Sequence, residues 1–530
     1  MEEGKLRRKL GFVDLMFLGL GAIIGSGWLF GAQTAAQMAG PSSWIAWVIG
    51  AVAVLLIGLV YAELGGALPR AGGIIRYPDY SHGPLVGYLM GFASLIAYSS
   101  VAGIEAEAMR QYAQHWWTAL GNSVNSNPST LGWFVQVALL LLFFLVNYWS
   151  VNLFGKVNSI ITALKFVVPA LTILVLITQF HAVNFTSHTF APGGFTGIET
   201  AVASGGIIFA FLGFRQAVDF AGEAKNPQKT VPLAIVTAIL VGAVLYVLLQ
   251  IVFVGAVPAG ELAGGWAKVN YGAPFADLAG ALGLAWLADI LFADAVLSPS
   301  GTANIYLSST ARVIFAWTRT GTFFPLFKRV SARTGVPQPA LWLSFLLAIF
   351  WTLPFPTWGQ LVGVVSSATV LTYIIGPISA AAFRRTAPDM HRPFRLGGMS
   401  VIAPLAFIIA TLIIYWTGWG IDNWLLGTQI VVWFIYVAIS RVMPKDSVSF
   451  EQQVHSSVWL VVFYVGLWLL SHFGSSAFGG LNTIAGPWDQ ILVAIWALIG
   501  YYWGVSSALP TTNIQNEESE ETIDGEVASL

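Results

Sequence analysis

Long apolar runs set the limits on this fold. Stretches of 18 or more apolar residues recur along almost the whole chain, and each is long enough to span a bilayer as a helix. That pattern predicts an all-α polytopic membrane protein. Charge supports the same reading: only 9% of the 530 residues are charged, against roughly 25% in an ordinary soluble domain, too few to build a water-soluble surface. Cysteine is absent and the formal net charge is -1. No basic block exceeds Lys5, Arg7, Arg8 and Lys9, so disulfide-scaffold and nucleic-acid-binding classes fall away.

Apolar windows bounded by Pro, Gly and charges give about fourteen predicted spans. They cover 12–38, 43–68, 84–118, 131–149, 156–180, 198–222, 231–257, 284–317, 339–356, 358–383, 401–419, 424–442, 455–473 and 487–506. The first is too long for a signal peptide, has no small-residue cleavage site and leads straight into further spans; it is expected to be retained. Nineteen of the 24 Lys and Arg residues then fall in alternate segments on the N-terminal side, and the opposite loops hold Lys268 alone. By the positive-inside rule both termini are predicted cytoplasmic. Glu517, Glu518, Glu520, Glu521, Asp524 and Glu526 crowd the last fourteen residues, so 507–530 reads as a solvated, disordered acidic tail on a body of net +5.

Two spans look built to break. Gly19-Leu20-Gly21-Ala22-Ile23-Ile24-Gly25-Ser26-Gly27 puts four glycines and a serine into nine positions of the first span, and each interior Gly costs a helix about 1 kcal/mol relative to Ala. Close packing through Gly21 and Gly25 and unwinding both account for the cluster. The sixth span, Gly205-Gly206-Ile207-Ile208-Phe209-Ala210-Phe211-Leu212-Gly213-Phe214-Arg215-Gln216-Ala217-Val218-Asp219, is expected to be interrupted at Gly213 and then by a buried charge. Interrupted helices in corresponding positions of two halves point to a transporter site. Unwinding exposes N–H groups at one half-helix and C=O groups at the other, a bipolar pocket suited to an amino acid.

Several further motifs share this order and spacing. They are Tyr61-Ala62-Glu63-Leu64, Pro69-Arg70-Ala71-Gly72-Gly73, Glu223-Ala224-Lys225-Asn226-Pro227, Ser308-Ser309-Thr310-Ala311-Arg312 and Arg392-Pro393-Phe394-Arg395. With the two glycine-rich spans, they make residues 10 to 400 resemble the amino acid/polyamine/organocation permeases, and among these the bacterial aspartate-proton symporters. The resemblance implies an inverted five-plus-five helix repeat over 12–383 (about 12–180 and 198–383), with helices 1 and 6 broken. A cytoplasmic loop at 384–400 and four additional helices over 401–506 would follow. It also implies that the N–H groups of Ser26 and Gly27, with the Ser26 hydroxyl, receive a substrate carboxylate. The carbonyls of Ile23, Phe209 and Leu212, beside Gly213, would receive its ammonium. Phe209 is a candidate lid, or an ordinary core or lipid contact.

Many members of that family carry an acid directly after the Gly-Phe of span six; here it is Arg215. An Arg at a helix centre costs about 2.5–3.5 kcal/mol on insertion scales and calls for a partner. Asp219 lies four residues on, on the same face, and can neutralise it locally. Alternatively, the planar guanidinium receives the side-chain carboxylate of an acidic substrate. Such a substrate enters as a monoanion against about 2.3 kcal/mol per 100 mV, so its accumulation needs a cation. Lys165 in span five is the candidate proton relay; snorkelling from a misplaced helix end is the bland alternative. The resemblance favours H+ over Na+, because some relatives carry a lysine where sodium-coupled cousins bind Na+.

Glu105, Glu107, Asp289 and Asp294 are further intramembrane acids, with Glu105 a possible partner of the site, and Glu63 is expected to pair with Arg70. Asn184-Phe185-Thr186 fits a glycosylation pattern that chance explains as well. No catalytic set, metal-ligand spacing or ATP-binding loop is present in the sequence, so neither an enzyme nor a cofactor is expected beyond H+ as coupling ion. The expectation is a secondary active plasma-membrane importer of aspartate, possibly glutamate. A neutral amino acid or amine permease or exchanger with a structural Arg215 is the first alternative, and a membrane sensor a remote one.

Overall fold

The computed structural model describes residues 10–69, 72–122, 127–149, 151–331, 334–440 and 448–510. The N-terminal basic cluster, Arg70, Arg333, Arg441, Lys445 and the acidic tail lie outside them. The described residues are helical, with two isolated β-bridges and no strand. The first half of the chain holds α1 (Phe12–Ile23), α2 (Ser26–Ala39), α3 (Ser43–Ala67), α4 (Gly73–His82), α5 (Pro84–Ala113), α6 (Thr130–Trp149) and α7 (Val151–Leu176). Next come α8 (Gly194–Ala203), α9 (Ile207–Phe211), α10 (Gln216–Asp219), α11 (Pro227–Ala256), α12 (Pro274–Ala281), α13 (Ala285–Arg319), α14 (Gln338–Trp351), α15 (Trp358–Tyr373) and α16 (Ile375–Thr386). The C-terminal group is α17 (Met399–Thr417), α18 (Trp419–Ile439), α19 (Phe450–Phe473) and α20 (Trp488–Ser506).

Helices occupy all fourteen predicted segments. Among the described residues nine helices are long and apolar enough to cross a membrane, ten with the bent pair α8 and α9–α10 counted as one. The difference from fourteen has local causes. Ser26–Ala67 is one 42-residue apolar run, interrupted only by a 3-10 turn at Gly40–Ser42. The helices α1 and α14 are short, α13 carries Asp289, Asp294 and Arg312, and α20 is diluted by Trp and Tyr.

Both expected breaks are present. The first lies at Ile24–Gly25, between α1 and α2. Packing and unwinding coexist there: a Cβ on Gly21 would sit 2.5 Å from Thr162 Oγ1, while Gly25 lies in the break itself. In the sixth span the bend, 42°, lies at Ser204–Gly206, while the interruption expected at Gly213 takes the milder form of a change from α to 3-10 between α9 and α10. Gly206 is the reason for the bend, since its φ of 92° is left-handed, a conformation that costs glycine little. Gly213 instead sits in a 3-10 turn over Leu212–Arg215, where a Cβ would come within 2.3 Å of the Ile23 nitrogen and 2.6 Å of the Gly19 carbonyl. Its role is to let the two broken spans cross at contact distance.

Around the crossing, α1 packs against α11, α7 and α13, α3 lies along α11, and α5 lies along α13 and α15. Polar contacts tie the last helices to this core. Gln490 Nε2 donates to Glu199 Oε2 at 3.0 Å, Ser456 Oγ to the His82 carbonyl at 2.5 Å, and His82 Nε2 lies 2.9 Å from the Gly504 carbonyl.

Glu63, at the end of α3, holds the segment that joins α16 to α17. It accepts from Arg384 Nε and Nη2 at 2.9 and 2.6 Å and from the Leu396 N–H at 2.7 Å, with Arg392 at 3.6 Å. Its expected partner Arg70 is outside the described residues; the observed partners come from far along the chain, where no local spacing signals them. Removing one member of such a buried pair strands the other, at a cost of about 3 kcal/mol or more. Glu63→Ala is therefore expected to lower the melting temperature of the purified protein clearly, and Glu63→Asp to lower it less. Asn184 of the glycosylation pattern is buried and donates to the carbonyls of Val254, Gly255 and Val257 at 3.0, 3.1 and 2.8 Å, so it pins a loop to the end of α11.

Candidate functional site

The two breaks bring the sequence-predicted residues together. A Cβ on Gly27 would touch Ala210 at 3.0 Å and the Phe209 ring at 3.2 Å, and Gly213 meets Ile23. The freed backbone groups are engaged by side chains from neighbouring helices. The Ser26 N–H, at the start of α2, donates to Glu105 Oε2 at 2.8 Å, so a carboxylate already occupies the helix N-terminus that electrostatics favours for an anion. Trp358 Nε1 donates to the Ser26 hydroxyl at 2.8 Å. Tyr246 donates to the Ile23 carbonyl at 2.6 Å, Tyr373 to the Leu212 carbonyl at 3.2 Å, and the Phe209 carbonyl accepts the Leu212 N–H. The Phe209 ring meets Trp358 edge-on, centroids 5.9 Å apart, which makes it a core contact beside the break and not a lipid-facing one.

Lys165 is fully buried. Its Nζ donates to the Gly21 carbonyl at 2.6 Å and to Thr302 Oγ1 at 2.8 Å, and Thr302 in turn donates to the Gly21 carbonyl at 3.1 Å. Snorkelling is thereby overturned: the ammonium points inward and bridges α7, α1 and α13. Gly301 makes room for it, because a Cβ there would lie 3.0 Å from Nζ. Glu105 approaches the same point from α5, its Oε1 within 2.6 Å of where a Gly25 Cβ would stand and without a hydrogen-bond partner among the described residues.

Arg215 is also buried, and Asp219 remains a charged neighbour of it without a direct bond. Among the described residues no hydrogen bond joins them: Nε and Nη2 of Arg215 have no partner, and Nη1 reaches only Thr372 Oγ1 at 3.5 Å. Asp219 Oδ2 instead accepts from the Tyr98 hydroxyl, and its Oδ1 has no partner. Three tyrosines surround the guanidinium. Its Cζ lies 3.5 Å from the centroid of the Tyr98 ring, 5.6 Å from Tyr373 and 5.8 Å from Tyr306. Aromatic faces stabilise a desolvated cation by about 2 kcal/mol, yet leave its N–H groups free to donate in the guanidinium plane. A planar two-oxygen acceptor fits that requirement.

Tyr306 stands four residues beyond Thr302 on α13, about 6 Å of helix rise. One face of α13 thus joins the two places, Thr302 reaching the Ile24 carbonyl at the first break at 3.4 Å and Tyr306 facing the Arg215 guanidinium. Tyr98→Phe keeps the ring beneath Arg215 but strands Asp219 Oδ2; at about 1 kcal/mol for such a bond, uptake of the proper substrate is expected to fall roughly fivefold. Tyr98→Leu, which removes the ring too, is expected to fall further, and initial-rate uptake in vesicles checks both.

The structure also ranks the remaining acids. Glu107 is held by Arg110 (Nε to Oε2, 2.9 Å) and by Gln136, a support between α5 and α6 away from the breaks. Asp289 is exposed, whereas Asp294 is buried. Sequence reasoning missed Trp358, Tyr246, Thr302 and the three tyrosines. Only α13 signals its contribution, through Asp294, Ser298, Thr302 and Tyr306 at four-residue intervals.

The chain is similar to known amino acid transporters. The family model described as "Amino acid permease" matches residues 10–467. The aspartate-proton symporter of Bacillus subtilis is 48% identical over 520 residues, covering 98% of this chain and all of that one. The glutamate/serine transporter AimA of the same organism is 42% identical over 522 residues, 97% of this chain and 96% of its own. A branched-chain amino acid permease, BcaP, is 28% identical over 448 residues. With its many membrane-crossing helices and its paired breaks, the chain belongs to the amino acid permease family, whose members are transporters and not enzymes.

Proposed function

We propose that this multi-pass membrane protein imports an acidic amino acid, aspartate ahead of glutamate, together with a proton. The observation that carries the reading is Arg215: a buried guanidinium with two unpartnered nitrogens inside three tyrosine rings. Isolated charge in hydrocarbon is costly and marks function by default. The 48%-identical relative bears the name aspartate-proton symporter, which agrees with a second carboxylate at Arg215.

In this reading the substrate α-carboxylate takes the Ser26 N–H now held by Glu105, together with the Gly27 N–H. The carbonyls of Ile23, Phe209 and Leu212 receive the ammonium, and Arg215 receives the side chain. Substrate anion and Glu105 carboxylate compete for one helix N-terminus, so a protonated Glu105 is the form that yields it. Lys165 fills the oxygen set of Gly21 and Thr302 with a fixed ammonium where a mobile Na+ would otherwise bind, which favours H+ as the coupling ion. The scaffold is the inverted repeat of about 12–180 and 198–383, fourteen spans in all, lying in the plasma membrane with both termini cytoplasmic.

Purified protein in vesicles with an inward proton gradient tests the proposal. Labelled aspartate is expected to accumulate and to be displaced by glutamate before serine, leucine or arginine. Accumulation indifferent to the proton gradient, or serine displacing aspartate as well as glutamate does, would overturn it.

A further inference from the structure

Asp294 is a buried acid beside the site that the reading above does not use. Asp294 lies two turns before Thr302 on α13 and is 1% exposed. Its Oδ2 accepts from Ser298 Oγ at 2.8 Å, while Oδ1 has no partner among the described residues. A purely structural carboxyl in this setting is normally satisfied on both oxygens. The charged and titratable groups that interact with it across the packing are Lys165 of α7 and Tyr112 of α5; Lys165 in turn has Glu105 and Asp294 as its two charged neighbours.

The face that links them is polar throughout. Asp294, Ser298 and Thr302 succeed one another at four-residue intervals on one side of α13, all buried, and Thr302 carries Lys165 Nζ at 2.8 Å. Thr302 Oγ1 also reaches the Ser298 carbonyl at 3.5 Å. Between Ser298 and Thr302 stands Pro299, inside the helix; having no N–H, it frees the Ala295 carbonyl as one more acceptor along the row. Beyond Asp294, towards the helix start, Asp289 is exposed.

We infer that Asp294 is the carboxyl through which protons reach Lys165, a loading route along α13 separate from the substrate contacts. This rests on the proton-coupled reading above. The step is one proton transfer. The Asp294 carboxyl loses H+ to the lone pair of neutral Lys165 Nζ by way of the hydroxyls of Ser298 and Thr302 and water between them. The carboxylate left behind regains H+ from the compartment at the α13 start.

The test separates net, proton-driven uptake from exchange. In exchange, labelled aspartate outside swaps with aspartate inside at equal pH, and the loaded protein returns without releasing its proton. Wild-type protein in vesicles must first accumulate aspartate under the gradient; its failure to do so would sink the proton-coupled reading itself. Given that, Asp294→Asn is expected to lose at least tenfold in the rate of gradient-driven uptake while exchange stays within about threefold of wild type, and Asp294→Glu to recover most of the loss. Ser298→Ala, which keeps the carboxyl and removes its hydroxyl partner, is expected to slow driven uptake several-fold with exchange unchanged, and carries the test should Asp294→Asn fail to fold. Driven uptake at the wild-type rate in Asp294→Asn or Ser298→Ala, or equal loss of uptake and exchange in folded protein, would overturn the inference.

Discussion

Replacing Arg215 by Ala is expected to raise the aspartate concentration needed for half-maximal uptake at least 30-fold, with serine uptake changed less than threefold. Truncating one partner of a buried, hydrogen-bonded charge pair costs about 2–5 kcal/mol, and 30-fold is the low end of that range. The loss should be confined to substrates with a second carboxylate, because the Ser26 end of the site is untouched. Arg215→Lys keeps the charge but loses the planar fork and the face that lies 3.5 Å above Tyr98, so an intermediate loss of about tenfold is expected. Stability should move the other way. Since Nε and Nη2 have no partner, removing the guanidinium relieves a desolvation cost, and the melting temperature of Arg215→Ala is expected to hold or rise. A structural Arg would behave like Glu63, whose removal lowers it. Undiminished aspartate selectivity in folded Arg215→Ala would refute the assignment.

Opposite outcomes for two buried charges show what sequence makes legible. Apolar runs, broken spans and the presence of ionisable groups inside them are local properties, so the helices, the Gly25 break, Arg215 and Lys165 could all be read directly. Pairing is not local. Asp219 sits at the spacing of a helix neighbour of Arg215, yet Tyr98 from α5 takes its oxygen, and the competition was decided by a helix more than a hundred residues away. Glu63 likewise binds Arg384 across 321 positions. The bend of the sixth span lies at Gly206 because a left-handed φ, not the mere presence of glycine, breaks a helix; Gly213 serves the crossing instead. Trp358 and Tyr246 reach the first break with no sequence signal, since an aromatic in so aromatic a chain is indistinguishable from core until the helices are packed.

Lys165→Met should abolish accumulation altogether. If aspartate enters with one proton, the loaded step is electroneutral, and a tenfold proton gradient supports up to tenfold accumulation. Without the proton the same molecule crosses as a monoanion, and an inside-negative potential of about 100 mV opposes it by about 2.3 kcal/mol, close to 50-fold exclusion at about 1.4 kcal/mol per decade. The swing between coupled and uncoupled equilibria is therefore of order several hundredfold, larger than any effect expected at Tyr98 or Glu63. The lattice around Lys165 should survive the change. Thr302 still donates to the Gly21 carbonyl at 3.1 Å, so that acceptor is not orphaned, and a methionine fills much of the lysine volume without a buried charge. Two readouts follow: the steady-state aspartate ratio in vesicles under a proton gradient, and its response to membrane potential. Wild-type accumulation should follow the proton gradient and ignore the potential, whereas any residual flux through Lys165→Met should ignore the proton gradient and be repelled by an inside-negative potential. Were Lys165 only a tether between α7, α1 and α13, the variant would lose stability and rate together while keeping the wild-type ratio, and the steady-state measurement would expose it.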